Sequence, residues 1–179
     1  MPSTSPTDRT MPDSAMVPVR LDVTVKAPVD TVFDAFSQWS EQGRWMLGTR
    51  VEVRSGDGAS VGSELAAWTG AGPAGFWDTM VITRWEPPYR VDVLHTGRVV
   101  KGTGTMEVVA LPGGRSRFVW SEELDLPLGL VGRLGWPVAK PAFLAGVRRS
   151  LGAFGRLVEQ GVLPRQGQPP RKPDTGPWR

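Results

Sequence analysis

Val19-Arg20-Leu21-Asp22-Val23-Thr24-Val25-Lys26 runs straight into Ala27-Pro28-Val29-Asp30-Thr31-Val32-Phe33-Asp34, and this junction sets the reading of the whole chain. In the first eight residues Val19, Leu21, Val23 and Val25 alternate with Arg20, Asp22, Thr24 and Lys26, the signature of a half-buried strand. Pro28 suits the first turn of a helix, where its missing N–H would be unpaired anyway, and Asp30 complements the positive end of the helix dipole. Val29, Val32, Phe33 and Phe36 recur at three and four residues, so one helix face packs inward. A second short helix is expected over residues 39–46.

Strands follow. Residues 50–54 set Val51 and Val53 against Glu52, and the turn Ser55-Gly56-Asp57-Gly58 leads to a strand over 62–69. The run Met80-Val81-Ile82 within 77–86 predicts a strand covered on both faces, ended by Pro87-Pro88. Strands over 90–96, 101–111 and 115–126 complete about seven, the last two joined through Pro112-Gly113-Gly114, a hairpin signal. A final helix is expected from Val138 or Pro141 to Gln160. Its apolar stripe is Phe143 or Leu144, Val147, Leu151, Phe154 and Val158, with Gly161 just past its end. Gly146, Gly152 and Gly155 each lower helix propensity by about 1 kcal/mol relative to Ala, which suits close backbone approach or internal space.

The class is therefore α+β: an antiparallel sheet around one long helix. Residues 1–16 and 164–179 lack periodicity and are rich in Ser, Thr and Pro, or in Pro, Gln and Arg, so they read as disordered tails flanking one domain over 17–163. The net charge of +3 resides in the second tail, where Arg165, Arg171, Lys172 and Arg179 face only Asp174; residues 17–163 carry +1. Such a near-neutral body argues against nucleic acid as a partner. With no Cys, thiolate chemistry and disulfides are excluded. No apolar run is long enough to span a bilayer and no export signal opens the chain, so the expectation is a cytoplasmic protein without stable membrane insertion.

Taken in order, the chain resembles the START/Bet v 1-like (SRPBCC) helix-grip superfamily, and within it the bacterial polyketide cyclase/dehydrase and lipid-transport branch. The residues that carry the likeness are the strand into Ala27-Pro28-Val29-Asp30-Thr31-Val32-Phe33-Asp34, the Trp85-Glu86-Pro87-Pro88 turn, Gly113-Gly114 before Phe118-Val119-Trp120, and the final helix. The resemblance implies a curved sheet gripping the long helix, with an apolar ligand held between them. It implies no particular chemistry.

Few residues here can do acid/base work. His95 is the one His in the chain, which rules out a multi-His metal centre, and it shares a strand face with Val91 and Val93. Glu122 falls among Phe118, Trp120, Leu124 and Leu126 on an apolar face, while Val119, Ser121, Glu123 and Asp125 mostly face water. A carboxylate so placed is desolvated unless paired, for instance with Arg50 or Arg98, and unpaired burial raises its pKa. Gly70-Ala71-Gly72-Pro73-Ala74-Gly75 matches the G-x-G-x-x-G pattern, but Pro73 interrupts it and a strand follows, so a mobile loop is expected rather than a phosphate cradle. Of eight Trp, a few led by Trp120, Trp68 and Trp45 are expected to border a cavity. The apolar, Gly-punctuated stretch 126–137 reads as a gate or a cover ahead of the last helix.

The leading expectation is a binding protein for a hydrophobic, aromatic, lipid or polyketide-like molecule. Its contacts would be Trp45, Trp68, Val93, His95, Phe118, Trp120, Glu122, Phe143, Val147 and Leu151, with no cofactor or metal. The alternatives are a polyketide aromatase/cyclase using Glu122 and His95 for proton transfer, and a protein-interaction module built on the 126–137 stretch and the basic tail. The balance leans away from an enzyme, because no paired acid and base stand at a recognisable spacing. A homodimer is left open.

Overall fold

The computed structural model describes residues 16–71, 73–125 and 129–163. The expected tails and residues 126–128 of the expected gate lie outside them. Seven antiparallel strands form one curled sheet: β1 (Val17–Val25), β2 (Thr49–Ser55), β3 (Glu64–Ala71), β4 (Ala74–Glu86), β5 (Arg90–His95), β6 (Lys101–Leu111) and β7 (Arg115–Asp125). Their spatial order is β1-β7-β6-β5-β4-β3-β2. Every connection from β2 onward is therefore a hairpin between neighbours. Only the link from β1 to β2 crosses between the sheet edges, and it carries α1 (Val29–Phe36) and a 3-10 helix (Trp39–Arg44). The long helix α2 (Gly129–Glu159) packs against the sheet, giving the helix-grip architecture.

The strand-to-helix junction forms largely as its sequence dictates. Val19 and Val25 of β1 are buried, and Val32, Phe33 and Phe36 of α1 turn inward. Pro28 stands one residue before the helix, as its cap (φ −68°, ψ 161°), and its carbonyl accepts from the Val32 N–H. Where α1, β7 and α2 meet, aromatic rings make a dry core. Phe36 stacks on Phe118 at 5.0 Å, and Phe154 of α2 lies 4.8 Å from Phe118 and 4.9 Å from Trp45. Each buried Phe stabilises by about 1.5–3 kcal/mol through area alone, and each ring pair by about 0.5–1.5 kcal/mol more.

Three local expectations need correction. First, β4 is not covered on both faces: Ile82 is buried, but Thr79 and Thr83 are exposed and Val81 is half-buried. Among the described residues the sheet has helices on its concave face only, so outward side chains meet water. On that outer face of β7, Val119 is nonetheless buried. Second, Gly70 and Ala71 pair with Gly75 and Ala74 as the ends of β3 and β4, where a loose loop was expected. A Cβ on Gly70 would meet the Ala74 carbonyl oxygen at 2.3 Å, so close backbone approach explains the glycine. Third, α2 starts at Gly129, well before Val138, and runs through Pro137 and Pro141. Each proline removes a rung, but both are exposed, as is neighbouring Val138, so water can satisfy the freed carbonyls on that side. The stretch expected as a gate is thus helical from Gly129 onward.

The far end of α2 closes as expected. Gly161 (φ +65°) follows the helix, and the N–H groups of Gly161 and Val162 return to the carbonyls of Val158 and Leu157 at 2.9 and 3.0 Å, a Schellman cap. The glycines of α2 divide by role. At Gly155 a Cβ would stand 3.3 Å from Val23 of β1, whereas at Gly146 it would meet nothing within 4 Å.

Candidate ligand cavity and its acid-imidazole cluster

Gly146 overlooks a cavity of about 350 Å³ between α2 and the concave face of the sheet. Phe143, Val147 and Leu151 of α2, Trp45, and Val93, Met106 and Trp120 of the sheet make its walls apolar. Strand parity then places three ionisable groups on the same wall: Asp78 with Phe76 and Met80 on β4, His95 with Val93 on β5, and Glu122 with Trp120 and Leu124 on β7.

His95 and Glu122 are separated by a whole strand, β6, and a glycine in that strand, Gly104, lets them meet. Register sets Gly104 opposite both Val93 and Glu122, and Gly102 opposite both His95 and Leu124. With no side chain at 104, the Glu122 carboxylate lies across β6, and its Oε2 comes 2.9 Å from Nε2 of His95. On the other side of the ring, Nδ1 is 2.7 Å from Oδ2 of Asp78. Side-chain exposure is 6% for His95, 10% for Asp78 and 9% for Glu122, so all three are nearly dry.

This geometry constrains the protons. A neutral imidazole has one N–H and one lone pair, yet both ring nitrogens face carboxylate oxygens. Either His95 is an imidazolium donating to both acids, or Glu122 is protonated and donates to Nε2 while Nδ1–H donates to Asp78. Both states hold two protons in the cluster. Burial disfavours the charged ring, but the hydrogen bonds and charges of Asp78 and Glu122 outweigh it and lift the His95 pKa to about 9. Burial raises the Glu122 pKa, and the Asp78 charge adds to that, with His95 pulling the other way. Both shifts say that the shared proton is held tightly.

The cluster is not fully satisfied. Among the described residues, Oδ1 of Asp78 and Nε1 of Trp45 are buried without a hydrogen-bond partner, and both residues line the cavity. No group of three or more Asp, Glu or His among the described residues is arranged to hold a metal ion.

Of the residues expected at a ligand site, Trp45, Val93, His95, Trp120, Glu122, Phe143, Val147 and Leu151 line the cavity. Two do not. Trp68 alternates with Ala67 and Thr69, which face inward, and so points out of the sheet, 5.6 Å from Trp77 with Arg50 over its ring. Phe118 is one pleat deeper than Trp120 and fully buried in the aromatic core. The partner of Glu122 is His95, not Arg50 or Arg98. Asp78 went unrecognised in the sequence. Its alternation with Phe76, Met80 and Ile82 carried the same signal as Glu122, but reading Met80-Val81-Ile82 as buried on both faces erased the parity that reveals it.

A larger hollow of about 470 Å³ is lined mainly by outward-facing residues. It is polar, and its arginines are paired with carboxylates, Arg90 to Asp92 at 2.9 Å and to Glu107 at 3.0 Å. It offers no apolar enclosure, so the apolar cavity is the candidate site.

Comparison with solved structures shows the same fold at low sequence identity. A Thermus thermophilus protein aligns with a TM-score of 0.69 at 16% identity, covering 81% of this chain and 99% of its own. The Zhui aromatase/cyclase from a Streptomyces species aligns at 0.59 and 18% identity, covering 80% and 96%. A norcoclaurine synthase from Thalictrum aligns at 0.61 and 17% identity, covering 82% and 96%. No curated protein sequence matches the chain. The family described as polyketide cyclase / dehydrase and lipid transport matches residues 16–159, most of the chain. By that match, and by the helix gripped in its seven-stranded sheet, the chain belongs to this family of the SRPBCC helix-grip superfamily.

Proposed function

We propose that the protein binds a compact, largely apolar small molecule bearing a polar head, buried beneath α2 with that head against Glu122 and Asp78. The observation that supports this reading is the pairing of a greasy cavity of about 350 Å³ with one polar corner. Such a volume lies at the small end of ligand pockets, which suits a body of one or two rings. Trp45, Trp120 and Phe143 supply burial, and the acid-imidazole cluster fixes orientation. The cytoplasm is the proposed location.

The test is native mass spectrometry of purified protein beside Gly146→Phe, whose ring would project into the cavity. A co-purified small molecule present in the parent and missing from the variant supports the reading. No bound mass, together with no heat of binding for any of a panel of bicyclic aromatics, overturns it.

A second reading, a proton-transfer enzyme of the cyclase type, is favoured by the Asp78–His95–Glu122 chain. Glu122 would exchange a proton with the bound molecule, His95 would accept or return it, and Asp78 would hold the ring. Such a relay contributes about 10²–10⁴-fold in rate. A poly-β-ketone mimic that Glu122→Gln still binds but no longer turns over supports this reading; equal turnover by the variant sinks it.

A further inference from the structure

The described residues lining the cavity include neither Lys nor Arg; the ionisable ones are Asp78, His95 and Glu122. Their sum is one negative charge whichever side of the Nε2–Oε2 contact holds the shared proton. Imidazolium between two carboxylates gives −1, and neutral imidazole beside a protonated Glu122 and ionised Asp78 also gives −1. An uncompensated charge in an apolar enclosure is costly. The same cluster lacks a donor, because Oδ1 of Asp78 is buried with no partner among the described residues. One missing positive charge and one missing donor thus coincide on the Asp78 carboxylate.

We propose that the cavity selects a molecule carrying a protonated amine on an aromatic or apolar body, with the ammonium donating to the Asp78 carboxylate, and turns away carboxylates of the same shape. The proposal rests on the reading of this cavity as a ligand site. An ammonium brings three donors, no acceptor and one positive charge, so it supplies both missing quantities at once. A hydroxyl supplies a donor without charge. A carboxylate supplies neither and adds a second negative charge where the dielectric is low, so the cavity discriminates against fatty and aromatic acids by repulsion as well as by lost bonding.

Calorimetric titration of the full chain at pH 7 with 2-naphthylmethylamine, 2-naphthylmethanol and 2-naphthoate, three probes of one shape, tests it. The amine is expected to bind about tenfold tighter than the alcohol, and the acid more weakly than either. In Asp78→Asn the preference of amine over alcohol should fall to less than about threefold. The comparison of the three probes on the unaltered protein stands even if that variant folds poorly. Equal affinity for amine and alcohol, or tighter binding of the acid, overturns the charge selection and leaves the ligand site standing. Failure of all three to bind overturns the site itself, and the selection with it.

Discussion

The carboxylate of Glu122 occupies the place that a side chain on Gly104 would fill: a Cβ there would lie 3.0 Å from both carboxylate oxygens and 2.9 Å from Val93. Gly104→Ala therefore pushes Glu122 away from His95, and urea denaturation should show a loss of about 1–3 kcal/mol, the usual cost of overpacking. Glu122→Ala in the same background removes the clash with the carboxylate and leaves only that with the Val93 methyl, so the two effects should not add. Additive losses would mean that Gly104 is needed for some other reason.

Stability should fall as pH rises above neutrality. The folded pKa of His95 is raised from 6.5 to about 9, so its stabilising contribution is fully present below about pH 6.5 and is lost as pH climbs through about 9. Glu122 is also raised, so the folded state again binds more protons than the unfolded one and its term declines in the same direction. Thermal melts at pH 6.5 and pH 9.5 should differ by roughly 5 °C or more, lower at the higher pH. His95→Gln should flatten that slope, and a flat profile in the parent would contradict the paired arrangement.

Position 146 should separate cavity volume from stability. A methyl at Gly146 meets nothing within 4 Å, so Gly146→Ala should stabilise α2 by up to about 1 kcal/mol and leave binding nearly intact. Gly146→Phe should keep the far-ultraviolet circular dichroism of the parent while abolishing ligand titration. Retained affinity in Gly146→Phe would place the ligand elsewhere.

The two faces of the sheet predict opposite outcomes for two Trp. Trp120 borders the cavity 6.3 Å from Phe143, and Trp120→Ala should weaken ligand binding by about tenfold or more. Trp68 lies outside with Arg50, and Trp68→Ala should change affinity by less than about twofold, with a stability loss of around 1 kcal/mol from the lost cation–π contact. Calorimetry on both variants decides the assignment of faces.

The architecture was legible because alternation and helical period are local. Val19 to Lys26, the 101–111 and 115–126 segments and the stripe of α2 all state their class over a few residues. Glu122 could be flagged for the same reason, as a charge out of phase with its strand. Its partner could not be found that way, because the contact crosses β6 and depends on register and on what Gly104 lacks. Trp68 was misassigned since aromatic character says nothing about which side of a pleat faces in. The start of α2 was missed since Pro137 and Pro141 signal a stop unless their far side is known to be wet.

Gly102 and Gly146 bequeath different freedoms to descendants of this chain. Gly146 can drift to larger residues, trimming the guest by steps while the protein still folds. At Gly102, φ is +128° and any Cβ would run into the Glu123 carbonyl oxygen, so a replacement is lost as broken sheet. Evolution can retune the roof of this site residue by residue, but the strand opposite His95 is protected by the main chain itself.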